Sequence, residues 1–344
     1  MADNPPPVPQ PPEIQGSGSP VPPEPPRFNV FVGPNGVRAG WRLLVALAIF
    51  LAAASAIAAL VRLLRGGQTR GTLPVYSGIL LSEVILFASY LLASWIMSRI
   101  EARRMRDYGL GPSGAFGAGF WIAAVAGFGS ISLLLFALKL VGVYHLGLLS
   151  LQGAASWKYA GIWGLTFLAV GFFEESSFRG YLLFTLTTDV NFWPAAILTS
   201  VAFGAVHHSN NGESVIGEIT AGGIGFFFCI LIRKTGTLWP AIGFHAAWDW
   251  GETFFYGVPD SGLVTPGHLF TARFAGPIWL TGGSVGPEGS WFCVALIVLL
   301  CIGVSVLPGT KYPNPDAIPD PRRRREPPSV LFPEAANQFT GDAT

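Results

Sequence analysis

Charged residues are scarce in this chain. Lys, Arg, Asp and Glu together make up 12% of its 344 residues, whereas 51% are hydrophobic, and the formal net charge is +1. Soluble globular domains contain about 25% charged residues. The composition therefore argues against a soluble domain and favours a protein embedded in a lipid bilayer. The near-zero net charge lacks the basic excess typical of nucleic-acid binding, so no nucleic-acid partner is expected.

Cysteine is also rare. The chain has three, Cys229, Cys293 and Cys301, all in apolar stretches and without a C-x-x-C spacing. This pattern excludes a disulfide framework and a cysteine-rich zinc site, and the three are expected to be small core residues. The chain contains neither a P-loop nor an H-E-x-x-H motif. Nucleotide binding by a P-loop and the mechanism of soluble zinc proteases therefore have no support.

The two ends of the chain differ in composition from its middle. The first 28 residues contain eleven prolines and no apolar run, which excludes a cleavable signal peptide and predicts a disordered, Pro-rich cytoplasmic tail over residues 1–37. Residues 311–344 include four consecutive arginines, Arg322 to Arg325, and are predicted to form a polar, basic C-terminal tail. The integral membrane domain is predicted to span residues 38–310.

Apolar segments recur through that middle region, and about 20 apolar residues are needed for a helix to cross the bilayer. We therefore predict an all-α fold, a polytopic membrane helix bundle with about eight transmembrane helices and no β-sheet. The predicted spans are residues 41–61, 76–97, 118–142, 160–186, 193–208, 214–232, 238–256 and 290–307. Polar residues interrupt the spans between 160 and 256, as expected of helices that line a polar cavity.

The distribution of Lys and Arg predicts the orientation. With eight spans and both termini on the same side, most Lys and Arg residues fall on that side, which is typical of the cytoplasmic face. We expect an integral protein of the plasma membrane of a prokaryote, with both termini in the cytoplasm.

Three ionisable residues interrupt the fourth span: Glu174, Glu175 and Arg179. A charged group at the bilayer centre costs at least about 2.5–3.5 kcal/mol, so these side chains are expected to face the protein interior. Residues four apart share a helix face, which pairs Glu175 with Arg179. Glu174 points elsewhere and is the candidate general base that activates water. The alternative is a charge network that only holds the bundle together.

We call this group of polar residues in an apolar span the first polar station. Two further polar stations follow along the sequence, also in apolar surroundings. His207 ends an apolar run one helical turn after Phe203, and His245 precedes Asp249 by four residues. Asp249 can therefore orient the imidazole of His245, or both can bind a metal. A catalytic zinc ion uses three protein ligands and one open position, a count that His207, His245 and Asp249 would satisfy. The alternatives are a satisfied core histidine and a His–Asp contact that only stabilises its helix.

Three other glutamates, Glu83, Glu218 and Glu252, also lie in predicted spans. Each is expected to be a hydrogen-bonding group that faces a cavity, and a catalytic role is not expected. The nearby glycines at positions 222, 223 and 225 indicate close helix contacts, because small residues let two helix backbones approach.

The three stations resemble the motifs of the CPBP family of intramembrane metalloproteases, which includes the type II CAAX prenyl proteases and bacteriocin-processing relatives. The E-E-x-x-x-R, F-x-x-x-H and H-x-x-x-N/D motifs of that family correspond here to Glu174–Arg179, Phe203–His207 and His245–Asp249. The resemblance covers about residues 160–255. The order and spacing of the three motifs make it specific, whereas any one alone would be weak.

The resemblance implies an intramembrane endopeptidase that hydrolyses a peptide bond in a membrane-anchored or prenylated protein. Glu174 would activate water and His207 would assist it. His245 and Asp249 would help to hold the tetrahedral intermediate or a divalent metal ion, for which zinc is the expected element. Glu175 belongs to the same catalytic group, and Arg179 forms its structural ion pair.

One position departs from the family pattern. Asp249 stands where the prenyl proteases have Asn. An ionised carboxylate cannot donate a hydrogen bond to an oxyanion, so it suits metal binding or orientation of His245 better. Some relatives are not proteases, and the alternative function is therefore a non-catalytic membrane immunity or assembly protein. A proton-coupled transporter is a third hypothesis, but it predicts inverted repeats, which the sequence does not show.

Overall fold

The structure, a computed structural model, describes residues 29–33, 36–66, 73–210 and 212–309. The helices are α1 (Ala39–Leu64), α2 (Val75–Ile100), α3 (Ala118–Leu140), α4 (Ala154–Glu175), α5 (Leu183–Val190), α6 (Phe192–His207), α7 (Val215–Thr235), α8 (Trp239–Trp250), α9 (Ile278–Thr281) and α10 (Trp291–Ser305). A π-helical segment, Ser176–Leu182, joins α4 to α5, and another, Gly251–Tyr256, extends α8. Short 3₁₀ turns lie at Met105–Tyr108 and Pro287–Gly289.

The predicted all-α membrane bundle is confirmed. Each of the eight predicted spans coincides with a helix, and α4, its π-helical segment and α5 together account for the fourth. Four helices in the described ranges, α1, α2, α3 and α7, are long and apolar enough to cross a membrane. That all eight segments cross stays a prediction. Most of both predicted tails falls outside the described residues, so the domain boundaries also stay predictions.

The expectation that the chain has no β-sheet was wrong in detail. Strands β1 (Val32–Gly33) and β2 (Gly36–Val37) pair antiparallel, as do β3 (Tyr144–Leu149) and β4 (Phe270–Phe274). The first pair precedes α1 and the second joins two connections between helices, so both lie outside the eight predicted spans. The backbone groups of such connections need hydrogen-bond partners, and antiparallel pairing supplies them.

Glycine brings several helices into close contact. A Cβ atom on Gly127 of α3 would collide with the carbonyl oxygen of Phe244 in α8. A Cβ atom on Gly204 of α6 would lie 2.6 Å from the carbonyl oxygen of Glu218 and 3.2 Å from the amide nitrogen of Gly222, both in α7. The close contact that the α7 glycines predict is therefore present at Gly222, where α6 packs against α7.

Candidate functional site

The first polar station lies where the helix changes its winding. Regular α-helix ends at Glu175, and the π-helical segment that follows includes Gly180, whose backbone leaves the helical region (φ −84°, ψ −108°). A Cβ atom there would lie 2.5 Å from the hydroxyl of Tyr90, so the close approach of α2 requires glycine. π-Helical turns frequently occur at functional sites, and this one carries Arg179.

Glu175 and Arg179 form an ion pair, as their spacing predicts. Arg179 Nη1 lies 3.2 Å from Glu175 Oε1, and both side chains are fully buried. The same carboxylate oxygen accepts a hydrogen bond from His245 Nδ1 at 2.8 Å. The sequence predicts Glu174 and Asp249 near His245 but does not predict this contact with Glu175. Glu175 therefore connects the first polar station to the third.

Aromatic rings and one glycine surround the Arg179 guanidinium. Its central carbon lies 4.0 Å from the ring centroid of Phe203 and 5.6 Å from that of Phe228, within the range of cation–π attraction. A Cβ atom on Gly225 would collide with Arg179 Nη2. Within the described part of the chain, Arg179 Nε and Nη2 and Glu175 Oε2 accept or donate no hydrogen bond. The surrounding residues therefore pack closely against the pair, but the hydrogen bonding of the pair is incomplete.

Carboxylates surround the imidazole of His245. Its Nε2 lies 3.7 Å from Glu174 Oε2 and 3.4 Å from Asp249 Oδ2, while its Nδ1 contacts Glu175. Glu174 is the most accessible of the three acids, with 26% of its side chain exposed. Both ring nitrogens therefore face carboxyl oxygens, an arrangement that an imidazolium satisfies by donating from both.

His207 is oriented by its own helix. Its Nδ1 lies 2.7 Å from the carbonyl oxygen of Phe203, and its ring packs on the Phe203 ring with centroids 4.7 Å apart. A carbonyl oxygen only accepts hydrogen bonds, so Nδ1 must carry the proton and Nε2 of the neutral ring is an acceptor. The adjacent His208 has 81% of its side chain exposed and pairs with Glu218 at 2.6 Å. Only one of the two neighbouring histidines thus faces the site.

The predicted residues meet at one cavity. Glu174, His207, His245 and Asp249 all line a space of about 360 Å³, which is within the range of ligand sites, about 300–1,000 Å³. Apolar side chains form much of its wall, among them Phe167, Val170, Ile224, Phe228, Phe244 and Ile297. The site therefore combines a few polar groups with an apolar enclosure.

The predicted metal ligands are not gathered as a ligand set. Among the described residues, the His, Cys, Asp or Glu side chains whose ligand atoms all lie within 4.8 Å of one another are Glu252, Asp260 and Glu288. His207, His245 and Asp249 do not form such a group. Metal binding by these three residues therefore stays a prediction.

Sequence reasoning missed the side chains that support the site. Phe203 served only as the spacing marker of His207, yet its ring contacts both Arg179 and His207. Asp260 and Glu288 line the same cavity, but both lie in a Gly- and Pro-rich connection with no helical periodicity. No local signal in the sequence distinguishes these acids from exposed loop residues.

Comparison with known families identifies the segment that holds the site. Residues 155–251 match the family model described as type II CAAX prenyl endopeptidase Rce1-like. The predicted family resemblance is confirmed over this segment. It contains all three polar stations, from Glu174 to Asp249. No curated protein matches the chain. Together with the long apolar helices, the match identifies an integral membrane protein.

Proposed function

We propose that this protein is an intramembrane endopeptidase that hydrolyses a peptide bond in a membrane-anchored protein or peptide, with prenylated CAAX-type substrates as the expected class. The family match supports protease function in general. The observation that carries the specific proposal is the meeting of Glu174, His207, His245 and Asp249 at one largely apolar cavity.

Glu174 is the general base in this mechanism. Its partly exposed carboxylate can accept a proton from a water molecule in the cavity, and the resulting hydroxide forms a bond to the carbonyl carbon of the scissile peptide. His207 assists, because its Nε2 is free to accept a hydrogen bond while Nδ1–H is held by the Phe203 carbonyl. The proton taken from water is then available for the leaving amine.

His245 stabilises the tetrahedral intermediate. A protonated imidazole next to the carbonyl oxygen can donate a hydrogen bond to the developing oxyanion. Nδ1–H stays bound to Glu175, so Nε2–H is the donor to the oxyanion. Asp249, 3.4 Å away from His245 Nε2, accepts this N–H before the oxyanion forms and balances the charge of the ring. This assignment accounts for the acid at position 249, because Asp249 is then not required to donate to the oxyanion.

Glu175 and Arg179 are positioning residues. Glu175 fixes the orientation of His245 through Nδ1, and Arg179 holds Glu175 in place. Preorganised groups of this kind need no reorganisation when charge develops in the transition state. The apolar wall of the cavity suits a substrate with an apolar segment or a lipid group near the scissile bond.

The proposal is tested with purified protein in lipid bilayers and a membrane-anchored reporter peptide, made with and without a C-terminal prenyl-cysteine. We expect wild type and Glu218→Gln to cleave the prenylated peptide and Glu174→Gln to be inactive. Glu218 is the matched control, because it is a helical carboxylate paired with the exposed His208. Failure of wild type to cleave either peptide would favour the alternative, a non-catalytic immunity or assembly protein.

Metal assistance is a separate question. The metal content of the purified wild-type protein is measured and compared with that of the His245→Ala variant. This tests whether the predicted divalent ion, expected to be zinc, is bound. A stoichiometric metal that is lost in the variant would support it, and equal content in both proteins would contradict it.

A further inference from the structure

A second cluster of acids lies beyond the proposed catalytic residues. Glu252 is in the π-helical segment after α8, Asp260 is in the connection that follows, and Glu288 is in the 3₁₀ turn before α10. One carboxylate oxygen from each lies within 4.8 Å of the other two. Three separate parts of the chain therefore direct acids to one point.

Two of these acids are held in fixed orientations. Glu288 Oε1 accepts a hydrogen bond from the indole N–H of Trp248 at 3.1 Å. Glu288 Oε2 accepts from the backbone N–H of Ser261 at 3.0 Å and from its hydroxyl at 2.6 Å. Asp260 Oδ2 accepts from the hydroxyl of Thr253 at 3.0 Å. Such contacts around carboxylates are typical of ligands that are oriented for an ion.

Glu252 provides an independent indication. Its side chain is fully buried, and neither carboxylate oxygen accepts a hydrogen bond from any described residue. Buried polar groups are almost always hydrogen-bonded, and a buried carboxylate needs a positive partner or a bound metal. In the described ranges, no Lys, Arg or His forms a salt bridge with Glu252, Asp260 or Glu288. A bound cation would supply the positive partner that these acids lack among the described residues.

We infer that Glu252, Asp260 and Glu288 bind a hard divalent cation of the calcium class. Oxygen-only ligands favour calcium or magnesium over zinc, which is more often bound through nitrogen or sulfur. Ca²⁺ accepts flexible coordination geometry, whereas Mg²⁺ demands near-ideal octahedral geometry and usually keeps several of its waters. Carboxylates from three separate elements, held by the fold, therefore suit calcium better than magnesium.

The ion would join three elements at one end of the cavity. Glu252 lies one helical turn after Asp249, and Asp260 and Glu288 line the cavity itself. A bound cation would tie the end of α8 to the following connection and to the start of α10. It would also offset the negative charge that these acids add next to Asp249. This inference concerns binding and does not rest on the proposed protease activity.

Terbium luminescence provides a direct test, because Tb³⁺ is a hard cation that takes calcium sites and Trp248 lies beside Glu288. The full-length protein in detergent is stripped with a chelator and titrated with Tb³⁺ under excitation of tryptophan, and Ca²⁺, Mg²⁺ and Zn²⁺ are then added as competitors. We expect saturable sensitised emission that Ca²⁺ displaces most effectively. Glu252→Gln and Asp260→Asn should each weaken binding at least about tenfold, whereas Glu218→Gln should bind as wild type.

Thermal melting provides the second measurement and checks that each variant folds. The melting temperature of wild type should rise with calcium concentration, since a ligand that binds only the folded state stabilises it, and that of Glu252→Gln should not. The inference is overturned if wild type gives no Ca²⁺-competable emission, if Zn²⁺ alone competes, or if Glu252→Gln and Asp260→Asn bind Tb³⁺ as tightly as wild type. Retention of binding by Glu174→Gln is expected whether or not that variant cleaves the reporter, so this test is independent of the proposed function.

Discussion

Two buried carboxylates of the helical bundle, Glu101 and Glu175, pair with arginine, and the two pairs are built differently. Arg42 of α1 donates to both oxygens of Glu101 at the end of α2, through Nε at 3.0 Å and Nη2 at 2.7 Å. Glu101 also accepts a hydrogen bond from the hydroxyl of Tyr181 at 2.5 Å, and Arg42 Nη1 donates to Thr188 at 3.0 Å. Each member of this pair therefore has several partners.

The Glu175–Arg179 pair has a single contact at 3.2 Å and leaves three of its buried polar atoms without partners in the described part of the chain. It reaches the cavity through His245 and stands beside the accessible Glu174. The two pairs therefore differ in how completely their polar groups are hydrogen-bonded and in whether they contact a residue that lines the cavity. We therefore expect the Arg42–Glu101 pair to be structural, and the Glu175–Arg179 pair to act through its contact with His245.

The sharpest test of this comparison replaces one carboxylate in each region by its amide. Glu174→Gln should lower turnover of the reporter peptide by about 100- to 10,000-fold with an unchanged melting temperature, because glutamine keeps the shape but cannot accept a proton from water. Glu101→Gln should lower the melting temperature and retain turnover per folded molecule. Equal turnover by Glu174→Gln and wild type would remove Glu174 from the mechanism.

Replacing the arginine of each pair by alanine shows how much each pair contributes to the free energy of unfolding. Arg179→Ala should reduce the free energy of unfolding by about 3–5 kcal/mol, because it removes the guanidinium from the fully buried Glu175 and leaves only its contact with His245. Arg42→Ala should have a smaller effect, since Glu101 keeps the hydroxyl of Tyr181. Melting or denaturant curves in detergent provide the measurement. A smaller loss for Arg179→Ala than for Arg42→Ala would contradict the importance of the deeper pair.

Gly225→Ala tests the fit around Arg179 without removing a charge. The added methyl group would collide with the guanidinium and lie 3.3 Å from Phe203 Cδ1, and overpacking of this kind costs about 1–3 kcal/mol. Turnover should fall with stability, because Arg179 positions Glu175. Gly161→Ala in α4 is the matched control. A Cβ atom added at Gly161 would have no neighbour within 4 Å. The higher helix propensity of alanine should therefore stabilise the Gly161→Ala variant by up to about 1 kcal/mol. Equal melting of the two variants would contradict the predicted collision.

The smallest effect is expected at His208. Its exposed side chain is directed to Glu218 and away from the cavity, so His208→Gln should leave turnover and melting temperature unchanged. The adjacent His207→Gln should lower turnover at least about 100-fold if His207 takes part in proton transfer. Comparable activity of the two variants would show that the cavity-facing position of His207 has no role in the reaction.

Much of the fold follows from local sequence patterns. The lengths of the apolar runs predict the eight helical segments, and helix periodicity predicts the Glu175–Arg179 pair and the shared face of His245 and Asp249. The motifs and their spacing also indicate a family that the comparison confirms over residues 155–251. These predictions succeed because each depends on interactions within one helix or on the residue pattern alone.

Contacts between distant elements were decided by the tertiary structure. The bond from His245 to Glu175 joins residues 70 positions apart, the β3–β4 ladder joins two connections, and the three acids at 252, 260 and 288 meet from separate elements. Each depends on how the helices cross and on which small residues let them approach. The sequence alone determined the helices, the motif residues and the pairing within each helix. Only the packing of the whole bundle decided which polar groups are satisfied and which face the cavity, because the distance between residues on different helices follows from the combined contacts of all of them.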